Sequence, residues 1–312
     1  MTVVGISQQP EAEEQQHLLS RIGLLPLAGL LFAVAVVWRF VDVVVLHLGD
    51  SWLNIMPSKL FPLLIIVGAF WKYRRTEVVS VLGLSKGKFF KTQMILGVVL
   101  SGTWYLLLDV IPQVVYATFF DSAYQLGFQI ADADLLFYSL IFFITNGFLE
   151  EILFRGVLQN SFRMKIGVVG GIVLSGVLFG VWHAIWPIIN GIDSLFSVGQ
   201  AVSMVVFSAV FGTLYGVYYE KFSSGRTLVA LIVSHTFMDF VNEHLKFGPE
   251  LLVPGPDYVY TNPSILGITI LFFLIGYFAM ILFFWKFKVE DVNEKWSGFV
   301  SHLKMRFGGD SI

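Results

Sequence analysis

Residues 135–158 read LLFYSLIFFITNGFLEEILFRGVL, a stretch long and apolar enough to cross a bilayer that nevertheless carries Glu150, Glu151 and Arg155 near its end. A transmembrane helix needs about 20 mostly apolar residues, so the length selects a membrane span. The charges then need a reason, because an ionisable group in the hydrocarbon costs about 2.5–3.5 kcal/mol on insertion scales.

Seven further stretches of the same kind lie around it, at about 24–46, 52–71, 94–116, 166–189, 198–219, 228–245 and 265–287. The whole chain of 312 residues is 56% hydrophobic and 13% charged, against about a quarter charged in soluble domains. The predicted fold is therefore an all-α polytopic membrane helix bundle of about eight transmembrane helices. A net charge of -2 without a basic block excludes nucleic acid, which needs a clustered positive footprint. With no cysteine, catalysis by thiolate and thiolate metal ligation are excluded as well.

Cytoplasmic loops collect Lys and Arg. With the N-terminus inside, 16 of the 20 basic residues fall on one side, so both termini are expected to be cytoplasmic. Lys246 falls outside, Lys59 falls in the outer half of the second span, and Arg39 and Arg155 fall within spans. Residues 1–22 read as a polar N-terminal tail, 23–289 as a single transmembrane domain with its motif core at 135–245, and 290–312 as a cytoplasmic C-terminal tail. The stretch 78–90, interrupted by Gly83, Lys86 and Lys88, reads as an interfacial helix. The expected location is a multi-pass protein of the plasma membrane, with the lipid bilayer as partner.

Three spans carry polar groups at helical spacing: Asn146, Glu150, Glu151 and Arg155 on the fourth, His183 four residues after Phe179 on the fifth, His235 and Asp239 on the seventh. Glu151 and Arg155 are four apart with the acid first, the favourable order for an ion pair. Glu150 points about 100° away and is expected to be the less neutralised carboxylate, held desolvated as a general base. Counted from the spans as drawn, Glu150, His183 and His235 lie about 12, 25 and 10 Å from the cytoplasmic ends, so one site requires the fifth helix to tilt or to start later. Arg39 and Asp42 read as an intrahelical pair or interface anchor. Asp109 and the group Asn242, Glu243, His244 lie toward outer ends and read as hydrated. No His-Glu-x-x-His zinc motif, Gly-x-Ser-Gly serine motif or Gly-x-Gly-Asp aspartyl motif is present.

The runs Glu150-Glu151-Ile152-Leu153-Phe154-Arg155, Phe179-Gly180-Val181-Trp182-His183 and His235-Thr236-Phe237-Met238-Asp239 together resemble the motifs of the CAAX protease and bacteriocin-processing (Abi) family. The resemblance implies an intramembrane endopeptidase acting on membrane-associated protein or peptide substrates. By position, Glu150 would activate water, Glu151 and Arg155 would orient it and brace the helix, His183 would hold it, and His235 with Asp239 would stabilise the oxyanion. Residue 239 is an Asp where the eukaryotic Ras-converting protease of the family has Asn. In a metal-dependent variant, Glu150, Glu151, His183 and His235 would ligate a divalent ion such as zinc; metal-independent attack is the preferred reading. The rival readings are a non-catalytic scaffold or bacteriocin-immunity protein of the same fold, then an ion-coupled transporter.

Overall fold

Within a bilayer every backbone N–H and C=O must be satisfied inside its own segment, which makes long apolar stretches helical. A computed structural model describes residues 23–46, 52–76, 78–83, 89–184, 195–249 and 262–307. The expected N-terminal tail, residues 1–22, lies outside the described residues.

The helices are α1 (Leu24–Phe40, continued by π-helical turns Val41–Leu46), α2 (Trp52–Tyr73), α3 (Phe90–Phe119), α4 (residues 133–166), α5 (168–183), α6 (Leu195–Val217, continued by Tyr218–Phe222), α7 (Val229–His244), α8 (Pro263–Lys286) and α9 (Val289–Phe307). Two three-residue strands, β1 (Phe128–Ile130) and β2 (Leu245–Phe247), pair antiparallel. Six described stretches are long and apolar enough to cross a membrane: Leu24–Leu46, Ile55–Tyr73, Phe90–Phe119, Ala133–His183, Ala201–Phe222 and Pro263–Lys286. Their outward faces carry large apolar side chains such as Val99, Val173, Val206 and Leu271, as a bundle solvated by lipid requires.

The 51-residue stretch Ala133–His183 is a hairpin, and here the expected boundaries need correction. The fourth helix does not end near residue 158. It continues through π-helical turns at Ile152–Gln159 to Gly167, whose φ of 77° breaks the helix in a conformation that only glycine adopts without cost. Beyond it α5 runs back along α4: Ser175 Oγ donates to the Phe154 carbonyl at 2.7 Å, and the Phe154 and Phe179 rings meet edge to face at 5.0 Å. Glu150 stands 17 residues before Gly167 and His183 16 after it, so the two arms bring them level. A longer fourth helix, rather than a tilted fifth, removes the depth mismatch between Glu150 and His183.

Glycines set the close helix crossings. A Cβ on Gly180 would lie 2.4 Å from the Val205 carbonyl oxygen, and one on Gly176 2.9 Å from the Thr213 nitrogen, so α5 and α6 touch backbone to backbone. A Cβ on Gly147 would lie 2.7 Å from Thr236 Oγ1, which fixes α4 against α7. Small residues allow such approach where lipid supplies no hydrophobic drive between helices.

Three local expectations are overturned. The stretch 78–90 is not one interfacial helix; Val78–Val81 forms a single turn, with Val78 and Leu82 buried in the core and the Gly83 carbonyl accepting from Leu228 N at 2.9 Å. Asp109, Glu243 and His244 are buried, not hydrated. The β ribbon and the 120–131 connection cover that end: His244 Nδ1 donates to the Ala131 carbonyl at 2.9 Å, and Gln113 donates to the Phe247 carbonyl. Nor is Arg39 an interface anchor, for it is buried in the bundle.

Replacing Gly180 by Val is expected to force α5 from α6 at a cost of about 1–3 kcal/mol, the usual range for overpacking. The measurement is the thermal midpoint of the detergent-solubilised protein, which should fall for Gly180→Val and hold for Gly102→Ala, where an added Cβ meets nothing.

Candidate active site

Hydrocarbon admits a charge only with a partner, and the two adjacent carboxylates of α4 find theirs on different helices. Glu151 Oε1 accepts from Arg155 Nη1 at 2.9 Å, the pair expected from the spacing, and also meets His235 Nδ1 at 2.7 Å. Arg155 is held by the Gly212 carbonyl at 3.3 Å and lies 4.4 Å over the Phe179 ring. This group locks α4, α5, α6 and α7 to one another.

Glu150, 1% exposed, is not the poorly neutralised carboxylate that the sequence suggests. Its Oε1 accepts from Lys59 Nζ at 2.9 Å and from Trp182 Nε1 at 2.9 Å. Lys59, on α2, is itself buried. Arg39 of α1 stacks over the Trp182 indole at 4.5 Å. The second oxygen, Oε2, is buried with no hydrogen-bond partner among the described residues. It lies 3.5 Å from His235 Nε2 and 3.9 Å from His183 Nε2.

Each histidine has one nitrogen committed. His183 Nδ1 faces the Phe179 carbonyl at 2.8 Å, an acceptor only, so Nδ1 carries the proton and Nε2 of the neutral ring is free to accept. His235 Nδ1 faces Glu151, leaving Nε2 to point at Glu150 Oε2 and at Asp239 Oδ2, 3.5 Å away. Asp239 Oδ2 accepts from Asn146 Nδ2 at 3.1 Å. The side chains of His183 and Asp239 are 21% and 23% exposed, so the site opens between them while Glu150 forms its floor.

All six site residues expected from the sequence, Glu150, Glu151, Arg155, His183, His235 and Asp239, therefore come together. Sequence reasoning missed Lys59 and Trp182, and it noted Asn146 without a role. Trp182 sits inside the Phe179–His183 run and an indole N–H inside hydrocarbon needs an acceptor, a usable signal. Lys59 had been placed by span arithmetic alone.

A metal held by Glu150, Glu151, His183 and His235 does not fit these side chains. Glu151 is turned to the Nδ1 edge of His235, away from Nε2, and is occupied by Arg155. Lys59 already supplies the cation at Glu150, and no three His, Asp or Glu among the described residues are arranged to hold an ion.

The chain is thus a helical bundle with apolar helices of membrane-spanning length that gathers two glutamates, two histidines and an aspartate in its interior. Residues 132–241 match the family described as Type II CAAX prenyl endopeptidase Rce1-like, in line with the resemblance of the three motifs to the CAAX protease family. No curated protein and no solved structure matches the chain.

The Lys59–Glu150 pair yields a stability test. Lys59→Met strands a buried carboxylate, and breaking a buried pair costs about 3–5 kcal/mol. The double variant Lys59→Met with Glu150→Gln removes both charges and should regain most of the loss in thermal midpoint. Additive losses in the double variant would mean that the two side chains do not interact.

Proposed function

We propose that the protein is an intramembrane endopeptidase that hydrolyses peptide bonds of membrane-associated proteins or peptides by glutamate-activated water, without a metal ion. The observation that carries this reading is Oε2 of Glu150, without a hydrogen-bond partner among the described residues, facing Nε2 of His183 and Nε2 of His235. A water between Oε2 and His183 Nε2 would donate to both, leaving its lone pair for a carbonyl carbon. As the C–O bond forms, Glu150 takes one proton and the carbonyl π electrons move to oxygen. With Glu151 accepting at Nδ1, His235 as imidazolium would donate Nε2–H to that oxyanion. Glu150 then returns its proton to the leaving nitrogen as the C–N bond breaks. Asp239 would hold His235 Nε2 between turnovers, and the Asn146 amide beside it supplies the neutral donor that an Asp at this position lacks.

The chain is further read as eight crossings of the plasma membrane with both termini cytoplasmic. The hairpin at Gly167 and the 16-residue α7 supply the two beyond those long enough on their own.

Glu150→Gln keeps an acceptor for Lys59 and Trp182 while removing the base, so it is expected to accumulate normally and to lose about 10²–10⁴-fold in rate, the usual contribution of general base catalysis. A quenched fluorescent prenylated CAAX peptide in lipid–detergent micelles serves as the first probe. Comparison of membrane peptides from cells making the active or the Glu150→Gln protein reads substrates of any other kind. Unchanged cleavage by Glu150→Gln would remove the glutamate base. Cleavage by the wild-type protein is expected to survive exhaustive chelation; its loss, with recovery on adding zinc, would establish a metal enzyme instead.

A further inference from the structure

The leading helices lie outside the matched segment 132–241, yet one of their cations, Lys59, pairs with Glu150 and another, Arg39, lies over Trp182. Lys59 Nζ and Trp182 Nε1 both donate to the same oxygen, Oε1, each at 2.9 Å. Two donors on one carboxylate oxygen fix the rotation of the whole group, because the second oxygen can then lie only on the far side. That far side is where His183 and His235 present Nε2. The clamp is itself braced. Arg39 lies 4.5 Å over the Trp182 indole, where a guanidinium on the ring face is attracted by the π system, and Lys59 Nζ lies 5.6 Å from the same ring centre. Phe32 of α1 packs against Trp182 as well, with ring centres 6.4 Å apart.

A buried lysine on an otherwise apolar helix is a costly way to neutralise one carboxylate if neutralisation were its only result, since an apolar pair of similar volume is often at least as stable. The geometry gives it a second consequence: Oε1 is occupied and Oε2 is left for the pocket.

We propose that Lys59 and Trp182 are positioning residues that clamp Oε1 of Glu150, so that α1 and α2 complete the site by aiming Oε2 at the water-binding edges of His183 and His235. This rests on the reading of Glu150 as the base. Neither residue touches the substrate.

Losing the clamp should slow turnover without weakening substrate binding. A misplacement of about 1 Å at a reacting group costs about 10²-fold, so Lys59→Ala is expected to lower kcat about 10²-fold with KM nearly unchanged. Ethylammonium added to Lys59→Ala should restore kcat saturably, by entering the vacated space beside Glu150. A structural role for the lysine would give no such saturable recovery. Trp182→Phe retains the ring and removes one N–H donor; its kcat should fall about tenfold, as for loss of one hydrogen bond to a charged group.

The assays are those above, with the folded fraction of each variant fixed by size exclusion. If Lys59→Ala fails to accumulate, Trp182→Phe carries the test alone. Wild-type kcat in folded Lys59→Ala would overturn the clamp, as would wild-type kcat in Trp182→Phe or a loss in Lys59→Ala that no amine relieves. These outcomes are distinct from failure of the base itself: cleavage by Glu150→Gln removes both readings, whereas an inactive Glu150→Gln beside a fully active Lys59→Ala removes the clamp alone.

Discussion

Two carboxylates side by side on one helix, inside a bundle solvated by lipid, set the constraint from which the rest of this architecture follows. Neither can leave the interior, and one arginine on the same helix satisfies one of them. The second cation must come from another helix, and it comes from α2 as Lys59, 2.9 Å from Glu150. Each pair then ties α4 to its neighbours. Arg155 is anchored on α6 through the Gly212 carbonyl, and Glu151 reaches α7 through His235. In water such pairs contribute little, but here the desolvated alternative is so unfavourable that they act as constraints on which helices may adjoin.

Those constraints are met only if the helices approach closely and at the right height. Gly147, Gly176, Gly180 and Gly212 allow the approach, each at a crossing where an added Cβ would strike a neighbouring backbone or Thr236 Oγ1. Gly167 sets the height, since a turn placed there puts Glu150 and His183 at matching distances along the two arms. The π-helical turns that begin just after Glu151 lie between the glutamates and this turn. Packing, charge compensation and the pocket are thus one arrangement seen at three scales.

The helical membrane class was legible from hydropathy alone, and the six polar residues were legible from spacing, because intramembrane charges are rare enough to stand out one by one. The Glu151–Arg155 pair was legible for the same reason, being local to one helix. What escaped was whatever depends on a second helix. Lys59 lies 91 residues from Glu150 in the chain, and a lone lysine near a span end reads as a snorkelling side chain. Span ends drawn by composition also misplaced the end of α4, since Arg163 and Lys165 look like a loop although the helix carries them. The burial of Asp109, Glu243 and His244 depends on a two-strand ribbon too short to give any periodic signal.

The pocket's polarity bears on what it can bind. Glu150 and Glu151 are both engaged at Oε1, and His183 and His235 both at Nδ1, so the atoms left facing the opening are Glu150 Oε2, two Nε2 nitrogens and the Asp239–Asn146 pair. These are acceptors at the base of the site, the Asn146 amide as a neutral donor, and a switchable donor, His235, at its side. In the proposed mechanism a peptide carbonyl is met by the Asn146 amide and, once it carries its second proton, by His235, and a water is held only while His183 stays neutral. The proposed mechanism needs the two histidines in different protonation states at the same time. Their surroundings differ in the required sense, with a neutral carbonyl at His183 Nδ1 and a carboxylate paired to arginine at His235 Nδ1. That asymmetry is built into which residue of each helix faces which neighbour, and it explains why two histidines at one glutamate need not be interchangeable.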